Sequence, residues 1–310
     1  MFDLAAKLRS IARRTTIIGL DIYDRLSSES LLPALAEEIP NPGREKLVTL
    51  EWVTVIPILR EWIGERRVQK AKASRLEIRS QPYEVTFEFD TREAERENSQ
   101  FQLERWTREI MKTFALGKIE LSDRVLRENL MTYDGQDLFD TAHPKEDEAG
   151  TFSNIVEVAR VNSAAPTIEE ARREMKAAKL RLVANSLRRT TIVDAEAMAK
   201  DLVVISRSAP VYEVYEELRT EEQLEGGRKN MLKGTFRHLH SVAQVSNDVD
   251  FIHAAPDAPR PVVFVPNWEP QGVQFDESKL FSHKLVPFGS DCEYSAAALL
   301  PHATCRVKPA

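Results

Sequence analysis

The sequence predicts an α+β fold, and three observations carry that reading. PYEVTFEFD, residues 82–90, alternates apolar and polar side chains with a period of two, the mark of a half-buried strand. Residues 99–116 and 167–184 repeat their apolar positions every three or four residues, as a helix buried along one side does. LVVIS at 202–206 and PVVFVP at 261–266 are short apolar runs suited to buried strands, and the elements follow one another without the βαβ rhythm of a doubly wound sheet.

Composition sets the outer bounds. A chain of 310 residues, 42% hydrophobic and 30% charged, can bury one large or two ordinary cores. Its net charge of −6 supplies no global basic field for nucleic acid. Cys292 and Cys305 lack a CxxC spacing and suit free thiols in a reducing compartment. The opening MFDLAAKLRSIARR lacks the apolar core of a secretion signal, and no run approaches the ~20 apolar residues of a membrane span, so neither is expected.

Taken in order, residues 1–50 read as an extended arm. A short amphipathic helix carries Phe2, Leu4, Ala5, Leu8 and Ile11, and LLPALAEEIPNPGREK then punctuates the chain with prolines and a glycine. Such a segment must lie on the body or on a neighbouring subunit. ERRVQKAKASRLEIRS is expected to pair with PYEVTFEFD in a long hairpin carrying Arg66, Arg67, Lys70, Lys72, Arg75 and Arg79. Tyr83, Val85, Phe87 and Phe89 would share one face. An isolated hairpin is marginal in water, and each well-buried Phe contributes roughly 1.5–3 kcal/mol, so this face should dock on another surface.

Leu103, Trp106, Ile110 and Phe114 stripe the next helix, with Gly117 its expected stop and Ser122 the expected cap of a short helix in LSDRVLRENL. FSNIVEVARV reads as a strand. Thr167 caps a helix striped by Ile168, Ala171, Met175, Ala178 and Leu182. Beyond residue 185 come LVVIS, the acidic helix VYEVYEELRTEEQLE, the basic turn GGRKNMLKGTFRH and PVVFVP.

The stretch MTYDGQDLFDTAHP, residues 131–144, raises the question of chemistry. Asp137, Asp140 and His143 recur at three-residue intervals and on one helical face could hold iron, zinc or manganese. The local sequence opposes that face, because Asp134-Gly135 marks a tight turn and Pro144 pushes His143 toward an extended conformation. The preferred reading is an architectural loop: Phe139 anchors it, Tyr133 and Leu138 help, and Asp134 and Asp140 close turns through their side-chain oxygens. No metal or other cofactor is expected. His238 and His240 in HLH, with His253 nearby, admit a zinc site but read better as exposed or hydrogen-bonded histidines. GxSxG, GxGxxG and Walker-type phosphate loops are absent, and no catalytic residue is nominated.

Charge is arranged in stripes. Residues 65–80 carry six basic side chains against two acidic, 84–97 six acidic against two basic, and 213–225 six acidic with one arginine. Exposed pairs contribute only about 0–1 kcal/mol each, which suits weak, reversible contacts at an assembling surface. Nucleic-acid contact by the basic hairpin ranks second.

LREWIGERRVQ at 59–69, PYEVTFEFDTREAE at 82–95 and above all YDGQDLFDTAHP at 133–144 resemble the major head subunit of Mu-like phages and prophages. That family is a branch of the tailed-phage major capsid proteins, which share the Johnson shell fold with encapsulins. The resemblance implies an N-terminal arm over 1–50, an E-loop hairpin over 51–95 and a peripheral domain with a spine helix over 96–165. An axial domain over 166–285 and a return to the peripheral domain over 286–310 complete it. The motif residues would be Tyr133, Asp134, Gly135, Phe139, Asp140, His143 and Pro144. Contacts between subunits would involve Arg66, Arg67, Lys70, Lys72, Arg75, Arg79, Tyr83, Phe87 and Phe89.

The resemblance further implies a non-enzymatic shell protein, forming pentamers and hexamers around packaged double-stranded DNA that it touches weakly and non-specifically. It would assemble in the bacterial host cytoplasm and reside in the virion. A separate scaffolding protein is implied, because the chain starts almost at the arm and leaves no room for a fused region of about 100 residues, the size of a small domain. A portal is a further expected partner, and a decoration protein is admitted; a membrane is not. Two alternatives stay open: a soluble metalloenzyme using Asp137, Asp140 and His143, and an encapsulin-like compartment.

Overall fold

The computed structural model describes residues 2–28, 32–53, 73–90, 92, 99–145, 149–185, 201–224, 228–243, 245–254, 260–275 and 285–310. Helix α1 (Phe2–Ser28) is one continuous helix, where a short helix and an extended arm were expected. It lies along the long helix described below, with Ile22 and Tyr23 buried near its end. Helix α2 (Leu32–Leu35) buries Leu32, Ala34 and Leu35, and strand β1 (Ala36–Glu38) follows directly. Much of residues 1–50 therefore belongs to the body of its own subunit: these apolar side chains supply the core that an extended arm would lack.

Strands β2 (Leu47–Val53) and β3 (Ala73–Arg79) pair antiparallel. Strand β4 (Gln81–Asp90) begins one residue after β3 and pairs with a C-terminal strand, which corrects the expected pairing of PYEVTFEFD with the segment before it. The reason is geometric, since Ser80 alone cannot turn the chain back on itself and hairpins need at least two loop residues. Residues 54–72, with Arg66, Arg67, Lys70 and Lys72, lie outside the described residues.

Helix α3 (Ser99–Arg127) runs straight through Gly117. A helical glycine costs only about 1 kcal/mol relative to alanine, and the apolar stripe continues past it to the fully buried Val125 and Leu126. Ser122 accordingly caps nothing; its hydroxyl donates back to the Lys118 carbonyl at 2.9 Å. Gly19 of α1 sits at the closest approach to α3, where an added Cβ would stand 2.9 Å from Thr107 Cγ2 and 3.0 Å from Met111 Cγ. Gly19→Leu should push the helices apart and cost about 1–3 kcal/mol, read as a lowered urea midpoint; an unchanged midpoint would contradict this packing.

The chain continues through β5 (His143–Pro144), β6 (Thr151–Phe152) and β7 (Ile155–Val158) to helix α4 (Ile168–Asn185). A reciprocal cap starts α4: the Glu170 amide donates to Thr167 Oγ1 at 3.3 Å, and the Thr167 amide donates to Glu170 Oε2 at 2.8 Å. Then come β8 (Leu202–Ser206), helix α5 (Ala209–Thr220), β9 (Gln223–Leu224), β10 (Arg228–Lys229) and β11 (Arg237–His240). Strands β12 (Val249–His253), β13 (Val262–Trp268), β14 (Gln274–Phe275), β15 (Leu285–Ala298) and β16 (Thr304–Pro309) complete the order.

Two five-stranded sheets organise these elements. The first runs β1-β13-β15-β14, with β4 also paired to β15; β1 lies parallel to β13 and the other pairs are antiparallel. The second runs β11-β8-β12-β16-β7, parallel at both ends and antiparallel in the middle. Leu202–Ile205 are all apolar because β8 is covered on both faces. Leu202 and Val204 join Met175, Leu182, Tyr215 and Phe251 beneath α4 and α5, whereas Val203 and Ile205 face the core shared with Met111, Leu126 and Phe139. Sheet membership crosses the expected axial segment 166–285, since β7 and β16 both belong to the second sheet. Residues 286–310 divide, β15 joining the first sheet and β16 the second.

Candidate functional site: the 131–144 junction

Helix α3 ends at Arg127, and Asn129, with a positive φ of 54°, clamps the loop that follows. Its Oδ1 accepts from the Phe139 amide at 2.7 Å and its Nδ2 donates to the Phe139 carbonyl at 3.1 Å. Inside this clamp the Thr132 amide donates to the Gln136 carbonyl at 2.8 Å, and Gly135 turns the chain at φ 80°, a conformation that penalises any Cβ. Asp134 holds the turn together, accepting from Thr132 Oγ1 at 2.5 Å and from the Gln136 amide at 3.0 Å.

The other Asp134 oxygen lies 2.8 Å from His143 Nδ1. The His143 side chain is fully buried and stacks on Phe152 at 5.1 Å. Burial works to raise the Asp134 carboxyl, but hydrogen bonds from His143, Thr132 and Gln136 outweigh it and hold the group below its ordinary range. Accepting from His143 Nδ1, Asp134 fixes the orientation of the imidazole ring. Pro144, exposed, opposes Thr151 in the short β5–β6 ladder.

Asp140 faces elsewhere. Its Oδ1 accepts from the Ala142 amide at 2.8 Å, an Asx turn, while its own amide donates to Asn154 Oδ1 at 2.9 Å. Asp137 is exposed and meets Met131 only through a backbone bridge. Asp137, Asp140 and His143 thus share no site, and among the described residues no group of three His, Cys, Asp or Glu side chains is placed to hold a metal ion. Three-residue spacing aligns side chains only on a helix, and this segment is a loop.

Phe139, almost fully buried, is the hinge pin of the loop. The Arg306 guanidinium sits 3.9 Å above its ring and also donates to Asp250 at 2.6 and 3.0 Å and to the Leu126 carbonyl at 2.9 Å. Arg207 donates to the same Asp250 and lies 3.6 Å from Asp123 on α3. Burial works to raise the Asp250 carboxyl; Arg306 and Arg207 reverse that and hold it low. The loop therefore joins α3 to β12 and β16 of the second sheet.

Asn154, fully buried, completes the junction: its Nδ2 reaches the carbonyls of Leu138 and Pro301 at 2.6 and 3.0 Å and Thr304 Oγ1 at 3.0 Å. Sequence reasoning missed it. The one available signal was an amide at the head of the apolar strand FSNIVEV. Also missed was a cluster around the half-buried Glu269, to which Tyr23 and Tyr294 both donate with their hydroxyls 2.7 Å apart and Lys118 Nζ donates at 2.8 Å. It ties α1 and α3 to β15.

His238 and His240 share one face, as the HLH spacing implies, and both pack on Tyr212, at 4.7 and 4.8 Å. His238 contacts Ser206 Oγ at 3.0 Å and Glu216 at 3.2 Å, and burial pushes its pKa down to about 4. His240 contacts the Ser206 carbonyl at 3.2 Å. Cys292 and Cys305 are free and buried, which pushes both thiols up to about 12 and leaves them poor nucleophiles.

The proposed contact residues divide. Arg75 and Arg79 are exposed on β3, with Arg75 paired to Glu77. Tyr83 and Phe87 instead pack inside their own subunit: Phe87 meets Trp106 edge-on at 4.8 Å and stacks on Phe288 at 5.7 Å. The aromatic face that needed a surface finds one within its own subunit, on α3 and β15, where Tyr83 and Phe87 are half-buried. Phe89 opposes Val286 in the β4–β15 ladder.

Residues 25–177 match the model of the Mu-like prophage major head subunit gpT. Among solved structures, the capsid of an empty GTA particle aligns with 10% identity and a TM-score of 0.56, covering 90% of this chain and 89% of that one. The capsid of the cyanophage P-SCSP1u gives 10% identity and a TM-score of 0.56 over 89% and 86%. The virus-like particle from Pyrococcus furiosus gives 14% identity and 0.50 over 98% of both chains. At these identities the likeness is one of fold. No curated protein matches the sequence.

Proposed function

We infer that the chain belongs to the family of Mu-like prophage major head subunits, whose model its residues 25–177 match, and that its copies build the pentamers and hexamers of an icosahedral head around double-stranded DNA. One observation carries the reading: the family match coincides with a capsid-type fold that spans about nine-tenths of this chain and of a capsid subunit alike. The 131–144 junction supports a non-enzymatic role, since Asp134, Asp140 and His143 are engaged in fixing the loop. Scaffolding protein, portal and decoration protein remain the partners we propose. Between copies we propose contacts by Arg66, Arg67, Lys70 and Lys72, which lie outside the described residues, and by Arg75 and Arg79 on β3.

Negative-stain microscopy and mass measurement of the chain co-expressed with a scaffolding protein should give closed shells of repeating capsomers. Small soluble oligomers under every assembly condition, together with absence of the chain from virions, would overturn the reading. An encapsulin-like compartment is a second reading, favoured by the end-to-end alignment with the Pyrococcus furiosus particle. Particles holding protein cargo in place of DNA would decide for it.

A further inference from the structure

We propose that the basic outer face of α4 on one copy docks against the acidic outer face of α5 on the next copy, a head-to-tail contact around a ring. This rests on the capsid reading and gives it a particular interface. The two helices lie on the same face of the second sheet, α4 over β16 and β7 and α5 over β8 and β11. In the order β11-β8-β12-β16-β7, opposite charges therefore stand over opposite halves of one layer.

The inner face of each helix is fully used. Ala171, Met175, Ala178 and Leu182 of α4 and Val211, Tyr215 and Leu218 of α5 are buried in one core. Glu174, also buried, is satisfied by Arg160 at 2.5 and 3.1 Å and by the Tyr215 hydroxyl at 2.8 Å. What remains outside is a stripe at helical spacing. On α4 the exposed positions are Glu169, Arg173, Lys176, Leu180 and Ala184, with Arg172 and Lys179 half-buried beside them; on α5 they are Ala209, Pro210, Glu213, Glu217 and Thr220, continued by Glu221 and Glu222.

Among the described residues, the ion pairs on these faces stay within single helices: Arg172 with Glu169 at 3.3 Å, Arg173 with Glu170 at 3.5 Å, and Arg219 with Glu216. Glu216 is further held by His238. Among the described residues Lys176, Lys179, Glu213 and Glu217 have no partner. Lys179 is half-buried, and that burial pushes its amine down with no carboxylate opposing it. A chain of net charge −6 that gathers four basic side chains on one helix face and their acidic complement on the next has two surfaces that fit each other. Two different patches meeting on like subunits make a heterologous contact, and repetition of it closes a ring when the rotation allows. Docking of α4 on packaged DNA would use only one of the two faces.

The test is a charge swap in the full chain under shell-forming conditions. Arg173→Glu with Lys176→Glu, and separately Glu213→Lys with Glu217→Lys, should each lower the yield of assembled particles roughly tenfold by setting like charges against each other. Circular dichroism and urea midpoints should show the subunits still folded. All four substitutions in one chain should restore assembly to near the wild-type yield. Both reversals assembling as the wild type does would overturn the contact alone, as would a fourfold variant that folds but fails to assemble. So would normal particles from Arg173→Glu/Lys176→Glu that merely hold less DNA, which would assign α4 to the nucleic acid. A wild-type chain that forms no shell would sink the capsid reading and this contact with it.

Discussion

Asn154→Ala should destabilise the subunit by about 3–5 kcal/mol, because each buried polar group left without a partner costs about 1–3 kcal/mol. The substitution strands the Asp140 amide, which Asn154 Oδ1 accepts at 2.9 Å, and the Leu138 carbonyl, which its Nδ2 reaches at 2.6 Å. Pro301 is less affected, since its carbonyl still accepts from Thr304 Oγ1 at 2.9 Å. A loss of that size is a large part of the usual stability of about 5–15 kcal/mol. Urea unfolding would measure it, and hydrogen exchange should show the amides of 138–143 opening first. A cost below about 1 kcal/mol would mean that the junction is not held as described.

Asp250→Ala should cost a similar amount, about 3–5 kcal/mol, because it leaves the Arg207 and Arg306 guanidinium groups buried without their shared counter-ion. The pH dependence has a definite sign. The folded Asp250 carboxyl titrates below its unfolded value, so the unfolded chain binds the proton first and stability rises with pH across that window. The contribution is complete above about pH 4, the ordinary carboxylate range, and is lost as pH falls through the lower folded value. Asp134 behaves in the same sense. His238 and His302, which burial holds neutral down to about pH 4, begin the decline earlier, as the unfolded imidazoles take up protons from about pH 6.5 downward. Unfolding free energies from pH 7 to pH 3 should therefore fall steadily in the wild type. In a folded Asp250→Asn variant the segment below pH 4 should be shallower; a parallel curve would show that Asp250 is not the group responsible.

Local signals were legible where the reason for them was local. PYEVTFEFD is strand β4, LVVIS is β8, and Thr167 caps α4, because alternation, apolar run and capping spacing are each decided within a few residues. The Asp134-Gly135 turn and the buried Phe139 were legible for the same reason. Gly117 misled, since its cost inside a helix is smaller than the gain from burying Val125 and Leu126 beyond it.

The partner of β4 was out of reach. LVPFGSDCEYSAAA carries Pro287 and Gly289 and shows no clean alternation, and it pairs with a strand about 200 residues earlier in the chain. No aspartate was singled out as the partner of His143, and the disfavoured trio with Asp137 and Asp140 offered the wrong ones. The fold gives it Asp134, nine positions away, through a loop closure that spacing rules for helices do not describe.

The two strands that finish the sheets come late in synthesis. β15 supplies the partner of β4 and β13, and β16 the partner of β12 and β7, so each sheet waits for a strand that leaves the ribosome after all its neighbours. Translation thereby acts as a timer. Until β15 and β16 have emerged, β4, β13, β12 and β7 lack the partners that complete their sheets, and those open edges are where a chain still being made could pair wrongly.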